Sequence, residues 1–457
     1  MTSNLSRDTK PRAVSVPIVQ KPIVGSIRVP GSKSLTNRAV ICAAMAEGRS
    51  VLTGVLESED TSVMVDAWRQ LGLRIDWDRD LCQLLIDGCS GQPPIDRGDL
   101  FIANSGTSIR FLTAALAATH GTYVLDGIPR MRERPIGDLI RGLRNWGAEL
   151  VSQNTSNPEC PPVLLKAIGL RGGSSSVRGD VSSQFLSGML MAAPYCKEDV
   201  EITVEGSLVS KPYVDMTISV MKSFGVNVDT VSVDAMQTGS ETHSSYRIRA
   251  PQRYRGVEYA IEPDASAASY FWAAAAITGG QVRIEGLCFE ALQGDVGFAK
   301  VLEKMGCQVS SGVDPKTGGW IEVSGRAARG IDIDMSNISD TVQTLAAVAL
   351  FAQGPTRVRG VAHNRHKETD RIGDLVREIR RLGAEAQEHE DGLTIYPKEL
   401  RGCEIETYRD HRMAMSFALV AMMVPGCLVL DPRCTEKTYP KYFEDLGRMI
   451  DKPLEYL

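Results

Sequence analysis

One unit recurs six times along the chain, and this repetition constrains the fold more than any other feature of the sequence. Each copy opens with a small polar residue, continues as an Ala-rich helix, and ends in a Gly-containing turn and a β-branched strand. The copies are roughly 70 to 80 residues apart, which is longer than the repeats of solenoid proteins. They begin near Ser34, Ser105, Ser182, Asp264, Asp340 and Asp410.

A second predicted helix lies inside each unit and ends at a hydrophobic residue followed by glycine, because glycine can adopt the left-handed conformation that stops a helix. Pro135, Pro212 and Pro440 stand near three of the helix starts, and we expect them at the first helical position. The hydrophobic-Gly pairs are Leu71-Gly72, Trp146-Gly147, Phe224-Gly225, Met305-Gly306, Leu382-Gly383 and Leu446-Gly447. Such units predict an α/β protein of two domains, each built from three units.

Composition and charge exclude several classes of function. A chain of 457 residues is long enough for two domains, and its net charge of −5 gives no general attraction to nucleic acid or anionic membranes. Apolar runs stay shorter than the roughly 20 residues of a membrane helix. The ten cysteines form no metal-binding or disulfide pattern. We therefore expect a cytoplasmic protein with no nucleic-acid or membrane partner, whose residues 1–20 are a disordered extension.

Cations are concentrated at the starts of the predicted helices. Such ends favour anions, and cations there repel the helix dipole unless an anion lies between them. The pattern therefore predicts a site for more than one carboxylate or phosphate group, which guanidinium binds bidentately. A solvated surface charge is the alternative for any one of them. The cations are Lys33, Arg38, Arg110, Arg134, Lys211, Lys367, Arg371, Arg412 and Lys437.

Nine short segments follow one another in a specific order. They are VPGSKSLTNRA (29–39), NSGTSIR (104–110), PRMRERPIGDL (129–139), DVSSQFLSGMLMAAP (180–194), LVSKPYVDMT (208–217), DASAASYF (264–271), HKETDRI (366–372), DHRMAM (410–415) and CTEKTYPKYF (434–443). Together they resemble the family of enolpyruvylshikimate phosphate (EPSP) synthase over about residues 25 to 450. No single segment carries the resemblance alone.

The resemblance implies an enolpyruvyl transferase-like fold: two inverse α/β domains, each of three βαβαββ-type units, joined by two crossovers. This agrees with the six repeats described above. It predicts that residues 1–29 and 261–457 form one domain and that residues 30–260 form the other. The active site would lie in the cleft between them.

The resemblance also implies the substrates and the residues that bind them. The substrates are shikimate 3-phosphate and phosphoenolpyruvate, and we expect no metal and no cofactor because cationic side chains neutralise the phosphates. Shikimate 3-phosphate would contact Lys33, Ser34, Arg38, Ser182, Ser183, Gln184, Ser210, Tyr213, Asp340, Asn364 and Lys367. Phosphoenolpyruvate would contact Lys33, Asn104, Gly106, Arg134, Gln184, Arg371, Arg412 and Lys437.

The implied mechanism is addition followed by elimination, which moves the enolpyruvyl group to the 5-hydroxyl of shikimate 3-phosphate. Asp340 would take the proton of the attacking hydroxyl. Glu368, with Lys437 or Lys33, would protonate the methylene carbon. Loss of phosphate would then restore the double bond, and the positive side chains would stabilise the leaving charge.

The carboxylates also have a purely structural interpretation. Asp340 and Asp410 open repeat helices, where Asp is a common N-cap, and Glu368 has cations as chain neighbours. We interpret Asp264 as an N-cap and Asp60 as a secondary candidate for the site.

Three residues depart from the pattern of the family. Ser105 stands where Ala is common, Ala103 where Gly is common, and Phe111 where Pro is common. Phe111 is close in sequence to Gly106, in the stretch that determines sensitivity to the inhibitor glyphosate. We expect glyphosate to inhibit the enzyme because Gly106 leaves room for it.

Two other functions remain open. A transferase acting on a UDP-N-acetyl sugar shares the fold, but it relies on a cysteine shortly before the equivalent of Arg134, and residues 127–134 read GIPRMRER. A non-catalytic phosphometabolite-binding protein would keep the cations but could lose Asp340 and Glu368, which are both present. We expect a monomer.

Overall fold

The computed structural model describes residues 12–232 and 244–457. This part of the chain forms twelve α-helices, and the odd-numbered ones are the predicted first helices of the six units. They are α1 (Lys33–Met45), α2 (Glu59–Gln70), α3 (Gly106–Ala117), α4 (Gly137–Asn145), α5 (Ser183–Ala192), α6 (Lys211–Ser223), α7 (Ala265–Thr278), α8 (Phe298–Met305), α9 (Val342–Ala349), α10 (Gly373–Arg381), α11 (His411–Ala421) and α12 (Tyr442–Met449).

The strands are short and follow the helices in each unit. They are β1 (Ala13–Ser15), β2 (Val24–Ile27), β3 (Arg49–Thr53), β4 (Ile75–Asp78), β5 (Gln83–Asp87), β6 (Arg97–Phe101), β7 (His120–Asp126), β8 (Glu149–Ser152), β9 (Val163–Ile168), β10 (Gly173–Arg178), β11 (Val200–Glu205), β12 (Asp229–Ser232), β13 (Ser244–Ile248), β14 (Glu258–Ala260), β15 (Gln281–Glu285), β16 (Gln308–Asp314), β17 (Gly318–Ser324), β18 (Asp332–Asp334), β19 (Thr356–Arg359), β20 (Glu385–His389), β21 (Gly392–Tyr396), β22 (Glu404–Ile405), β23 (Leu428–Leu430) and β24 (Glu455–Tyr456).

The described strands form six four-stranded sheets, one for each repeat. Every sheet contains one parallel and two antiparallel pairs, such as the parallel pair β6–β7 beside the antiparallel pairs β7–β9 and β8–β9. A parallel pair requires a crossover connection, and in four of these sheets the buried Ala-rich helix supplies it. The predicted α/β architecture of six repeated units is confirmed.

Two strand pairings carry the chain between the halves. β2, which precedes the first unit, pairs in parallel with β15 of the fourth unit. β14, which follows the third unit, pairs in parallel with β3 of the first. The N-terminal segment therefore completes a sheet of the C-terminal half, and the chain passes between the halves twice.

The buried apolar side chains form two separate cores. One core combines residues between Val14 and Val29 with residues from Ala265 to Ile450, and the other runs from Leu35 to Ile261. All residues of α7 are buried, because a helix that is apolar on every side needs neighbours on every side. On this basis we propose the domain boundaries near residues 30 and 260 that the sequence predicted.

Some local predictions are wrong. The pair Leu446-Gly447 lies inside α12, and the left-handed residue that follows this helix is Asp451, with a φ of 53°. Pro212 is the second residue of α6, one position after the predicted one, whereas Pro135 and Pro440 lie before the N-caps of α4 and α12.

The predicted disordered extension is also wrong where it can be compared with the structure. Residues 13–15 form β1, which pairs with β23 and β24 because Ala13 and Val14 are buried in the C-terminal core. Residues 1–11 lie outside the described part of the chain. Among the described helices, none has the length and apolar character needed to cross a bilayer.

Candidate active site

The three aspartates that open the helices of the C-terminal domain have different roles. Asp264 accepts from the amide of Ala267 and caps α7, as predicted. Asp410 likewise caps α11. Asp340 lies in a 3₁₀ turn (Ser339–Thr341) before α9 and makes no cap hydrogen bond there, so the structural interpretation is wrong for this residue. Its carboxylate is instead surrounded by cations.

Asp340 is the acceptor of three cationic side chains. Arg412 Nη2 lies 2.7 Å from Oδ2, while Arg371 Nη1 lies 3.2 Å and Lys367 Nζ 3.6 Å from Oδ1. Burial alone would raise the pKa of Asp340, but these cations outweigh it and hold the pKa well below its ordinary value. The carboxylate is therefore ionised at neutral pH.

Arg371 connects Asp340 to two further carboxylates. Its Nε donates to Asp410 Oδ2 at 2.7 Å, and its Nη2 donates to Glu368 Oε2 at 2.7 Å. Burial favours the neutral form of Glu368, but Arg371, Arg134 and Lys437 overcome this and hold its pKa well below the ordinary value. Both candidate catalytic carboxylates are thus anions held by buried arginine.

Asp60 holds two lysines from different domains. Lys437 Nζ lies 2.8 Å from its Oδ1, and Lys33 Nζ lies 3.3 Å from its Oδ2. Lys437 also donates to the backbone carbonyl of Asn104 at 2.8 Å. Sequence reasoning gave Asp60 only a secondary place, whereas the structure puts its buried carboxylate between the two lysines.

Gly106 lies directly against Arg134. A Cβ added at Gly106 would be 2.3 Å from Arg134 Nη2, so any larger residue at this close approach would displace the guanidinium. Arg134 Nη1 donates to the carbonyl of Asn104 at 2.9 Å, and its Nε is buried with no hydrogen-bond partner among the residues that the structure describes. An unpartnered buried guanidinium N–H indicates a site that accepts an anion.

Comparisons with known proteins agree with this geometry. The sequence model of EPSP synthase (3-phosphoshikimate 1-carboxyvinyltransferase) matches residues 18–446. This chain belongs to the EPSP synthase family. The 3-phosphoshikimate 1-carboxyvinyltransferase of Nostoc punctiforme is 44% identical over 440 residues, which cover 96% of this chain and 99% of that protein. That of Serratia proteamaculans is 44% identical over 431 residues, covering 93% of this chain and 96% of that protein.

Solved structures of the family have the same fold. EPSP synthase from Acinetobacter baumannii superposes with a TM-score of 0.78 at 25% identity, covering 98% of this chain and 99% of that one. The resemblance to the EPSP synthase family and the enolpyruvyl transferase-like fold that it implied are therefore confirmed.

The predicted phosphoenolpyruvate residues of this EPSP synthase family member surround a small cavity of about 20 Å³ between the domains. Asn104 and Lys437 contact residues that line this cavity. The carbonyl of Asn104 accepts from Arg134, and Lys437 donates to Asp60. Among the described residues, no group of His, Cys, Asp and Glu has the arrangement of a metal site. The lining residues are Lys33, Asp60, Gly106, Thr107, Arg134, Gln184, Asp340, Lys367, Glu368, Arg371 and Arg412.

The predicted shikimate 3-phosphate residues come from both domains. Ser182 caps α5, which begins at Ser183, and Gln184 on the same turn donates to Thr107 and accepts from Arg110. Ser210 has a φ of 54° at the start of α6 and lies 3.3 Å from the hydroxyl of Ser339 in the other domain. Asn364 donates to the carbonyl of Ser339.

Arg38 is more constrained than the prediction implied. Its guanidinium is buried and donates to Thr217, Ser187 and the carbonyls of Ser34 and Tyr213. The side chain of Phe111 is fully buried and lies below this guanidinium, 5.1 Å from ring centroid to Cζ. The larger residue at position 111 therefore packs in the core.

The other two departures from the family pattern also have local explanations. Ser105 caps α3 by accepting from the amide of Ser108. Ala103 has a φ of 47°, in the left-handed region that glycine adopts without strain. Neither side chain lines the cavity at Gly106.

Sequence reasoning missed two residues of the site. Arg130 donates across the cleft to the carbonyls of Lys367 and Glu368, and Asp295 contacts the hydroxyl of Tyr213. Only contacts between distant segments identify Asp295, which lies outside the quoted segments, whereas Arg130 lies inside the segment 129–139 but received no role from it. In contrast, Lys211 forms an exposed ion pair with Asp215, so the alternative of an ordinary surface charge is right for this cation.

Proposed function

We propose that the protein transfers the enolpyruvyl group of phosphoenolpyruvate to the 5-hydroxyl of shikimate 3-phosphate and releases phosphate. The observation that carries this proposal is the pair of carboxylates Asp340 and Glu368, joined by Arg371 at the meeting point of two domains. A binding protein needs the cations alone. Two positioned carboxylates add the acid and base that a proton-transfer reaction requires.

The cluster of cations supports the binding of phosphoenolpyruvate. Its carboxylate and phosphate would be held by Lys33, Arg134, Arg371, Arg412 and Lys437. The site would be completed by Gln184 and the backbone at Gly106 and Asn104. Guanidinium groups match both anions in shape and charge. In the buried cleft these interactions are stronger than in water, and they stabilise the charge on the leaving phosphate.

Residues of both domains would bind shikimate 3-phosphate. The hydroxyls of Ser182, Ser183 and Ser210 suit the phosphate ester, and Lys367 adds a positive charge. The remaining oxygens of shikimate 3-phosphate would be contacted by Ser34, Arg38, Gln184, Tyr213 and Asn364. Because Arg38 is held by four internal hydrogen-bond partners, we propose that it also keeps Tyr213 in place beneath the substrate.

The reaction proceeds in two steps. Glu368 first takes up a proton from solvent as the substrates bind. The 5-hydroxyl gives its proton to Asp340 as its oxygen bonds to the enol carbon, and the methylene carbon takes the proton of Glu368, assisted by Lys437 or Lys33. In the second step the methyl group returns a proton to Glu368, the bond to phosphate breaks, and the leaving phosphate takes the proton held by Asp340. Bound anions would reduce the positive field that holds the pKa of Glu368 low, so substrate binding itself raises the pKa of this acid.

Phosphate release tests the proposal. It is measured with both substrates, with each omitted in turn, and with a chelator present throughout. We expect release only with both substrates, and an Asp340→Asn variant that binds shikimate 3-phosphate but loses about 10²- to 10⁴-fold in kcat. Binding without any release would support the non-catalytic alternative. Phosphate release with a UDP-N-acetyl sugar in place of shikimate 3-phosphate would support the second alternative, a transferase that acts on that sugar.

We further propose inhibition by glyphosate and a cytoplasmic, monomeric protein. Gly106 carries no Cβ, and the side chain of Phe111 is buried away from the cavity that Gly106 lines. Glyphosate would then compete with phosphoenolpyruvate, and the absence of inhibition at millimolar concentration would contradict this. A molar mass of two chains, measured by light scattering, would contradict the proposal of a monomer.

A further inference from the structure

Asp295 is a buried carboxylate in the wall of the site to which the steps above give no role. It lies in a 3₁₀ turn (Gly294–Gly297) before α8, and 3% of its surface is exposed. Its Oδ2 accepts from the hydroxyls of Ser266 and Tyr213, while its Oδ1 is buried and has no hydrogen-bond partner in the described part of the chain. Arg412 acts on it only at a distance, whereas Asp340 has three ion-pair partners.

The hydroxyl of Tyr213 connects Asp295 to Asp340. Its oxygen is 3.2 Å from Asp295 Oδ2 and 3.3 Å from Asp340 Oδ2. A phenol carries one proton and can donate to only one of two carboxylates at a time. The three groups therefore form a chain with room for one additional proton, which either carboxylate can hold.

The two ends of this chain differ in their affinity for that proton. Arg412, Lys367 and Arg371 hold the pKa of Asp340 well below its ordinary value despite its burial. Burial, followed by the nearby charge of Asp340, raises the pKa of Asp295 to about 7. A proton taken up by Asp340 is thus more stable on Asp295, and a base works best when its pKa is near the working pH.

We propose that Asp295 is the residue on which the proton of the 5-hydroxyl comes to rest, after passing through Asp340 and Tyr213. The inference rests on the proposed function. As the substrate O–H bond breaks, its proton goes to Asp340, Asp340 gives a proton to the Tyr213 oxygen, and Tyr213 gives its own proton to Asp295. The chain reverses in the second step, and the departing hydrogen phosphate carries the proton away.

The direction of the pH dependence follows from this chain. Asp295 must be ionised to receive the proton, so kcat falls as the pH falls through the raised pKa of this carboxyl. The surrounding charged and titratable groups come from α1, α6, α7 with its cap, the turn before α9, and α11. They are Lys33, Tyr213, Asp264, Tyr270, Asp340 and Arg412.

An Asp295→Asn variant separates a proton-holding role from a structural one. Asparagine keeps the size of the side chain and can still bond to Ser266 and Tyr213, but it cannot hold the proton. We expect kcat to fall about 10²-fold and the fall in kcat below neutral pH to disappear, while the Kd for shikimate 3-phosphate changes less than about threefold. Folding is checked by circular dichroism.

A Tyr213→Phe variant interrupts the chain at its centre. It should also lose the acid limb of the pH profile, and the double variant should be no slower than the slower single variant, because both changes break one pathway. Asp445 provides a matched control, since it accepts from the Tyr439 hydroxyl at 2.6 Å in a second buried Asp–Tyr pair outside the site. Asp445→Asn should keep the wild-type kcat and pH profile.

Two outcomes would overturn the relay. One is an Asp295→Asn variant with wild-type kcat and pH profile, and the other is a lower kcat with an unchanged acid limb, which would make Asp295 purely structural. Wild-type phosphate release with both substrates is measured first. The absence of phosphate release would contradict the proposed function. Active wild-type enzyme together with an Asp295→Asn variant that keeps the wild-type kcat and pH profile would contradict the relay alone.

Discussion

The guanidinium of Arg130 in one domain donates to the backbone carbonyl of Glu368 in the other, with 3.1 Å between Nε and O. Its Nη2 donates to the neighbouring carbonyl of Lys367 at 3.0 Å. These bonds join the two domains and hold the peptide that carries the proposed acid. The contact of Arg130 with the other domain and the position of the Glu368 backbone are therefore linked.

Replacing Arg130 should separate substrate binding from turnover. We expect Arg130→Ala to lower kcat about 10- to 100-fold, because Glu368 loses its fixed position in the closed state. Arg130→Lys should recover part of this loss, since one ammonium group can still donate to one of the two carbonyls. Steady-state kinetics with both substrates measure the effect.

Arg132 is the matched control for this prediction. It lies in the 3₁₀ turn (Met131–Glu133) that directly follows Arg130, but it pairs with Asp126 of its own domain at 2.5 Å. Arg132→Ala should therefore keep kcat. Equal losses in the two variants would mean that the turn as a whole, and not the contact across the cleft, supports turnover.

Gly106 should tolerate no larger residue without a loss of phosphoenolpyruvate binding. The Cβ of Gly106→Ala would meet Arg134 Nη2 at 2.3 Å, so the guanidinium must move away from the position that faces the substrate. We expect the KM for phosphoenolpyruvate to rise about tenfold, equivalent to about 1.4 kcal/mol, while the Kd for shikimate 3-phosphate stays constant. Initial-rate kinetics and fluorescence titration measure the two quantities, and equal weakening of both substrates would contradict a local displacement of Arg134.

Ala103 offers a test of backbone strain next to the site. An L-residue with a left-handed φ of 47° costs about 1 to 2 kcal/mol. Glycine avoids this strain but loses more chain entropy on folding, so the net gain in stability is smaller than the strain itself. Ala103→Gly should raise the free energy of unfolding by about 0.5 to 1 kcal/mol in urea denaturation. Ala118, with a φ of −80° at the end of α3, is the control, because Ala118→Gly should lower it.

Local patterns in the sequence predicted the parts of the molecule that local physics determines. Asp264 is an N-cap because a short carboxylate before an Ala-rich helix can accept from its first amides. Gly72 ends α2 with a φ of 91°, since no other residue adopts that conformation easily. The same reasoning fails at Gly447, where packing continues α12 past the glycine.

Contacts between distant segments could not be predicted in this way. Asp60 stands 377 positions before Lys437 in the sequence, and nothing near it indicates that the chain returns there. Asp295 has an equally ordinary neighbourhood. The motif resemblance recovered most of the site because it records the outcome of folding, but it gave Asp295 and Arg130 no role.

Asp60 should stabilise the closed cleft in the absence of substrates and oppose anions when they bind. Its buried carboxylate is the shared partner of Lys33 and Lys437, and removing one partner of a buried ion pair typically costs about 3 to 5 kcal/mol. Asp60→Asn leaves two ammonium groups facing a neutral amide. We expect a lower Tm without ligand and a larger rise in Tm on adding inorganic phosphate than in the wild type, because the anion replaces the missing charge.

Asp66 on the same helix distinguishes this effect from a general loss of charge in α2. It is exposed and pairs with Arg69 at 3.2 Å, so Asp66→Asn should change neither the Tm nor its response to phosphate. If Asp60→Asn lowered the Tm equally with and without phosphate, the two lysines would not be the groups that its carboxylate compensates. A larger response confined to Asp60→Asn would mean that this carboxylate takes the place of a substrate anion between the two lysines when no substrate is bound.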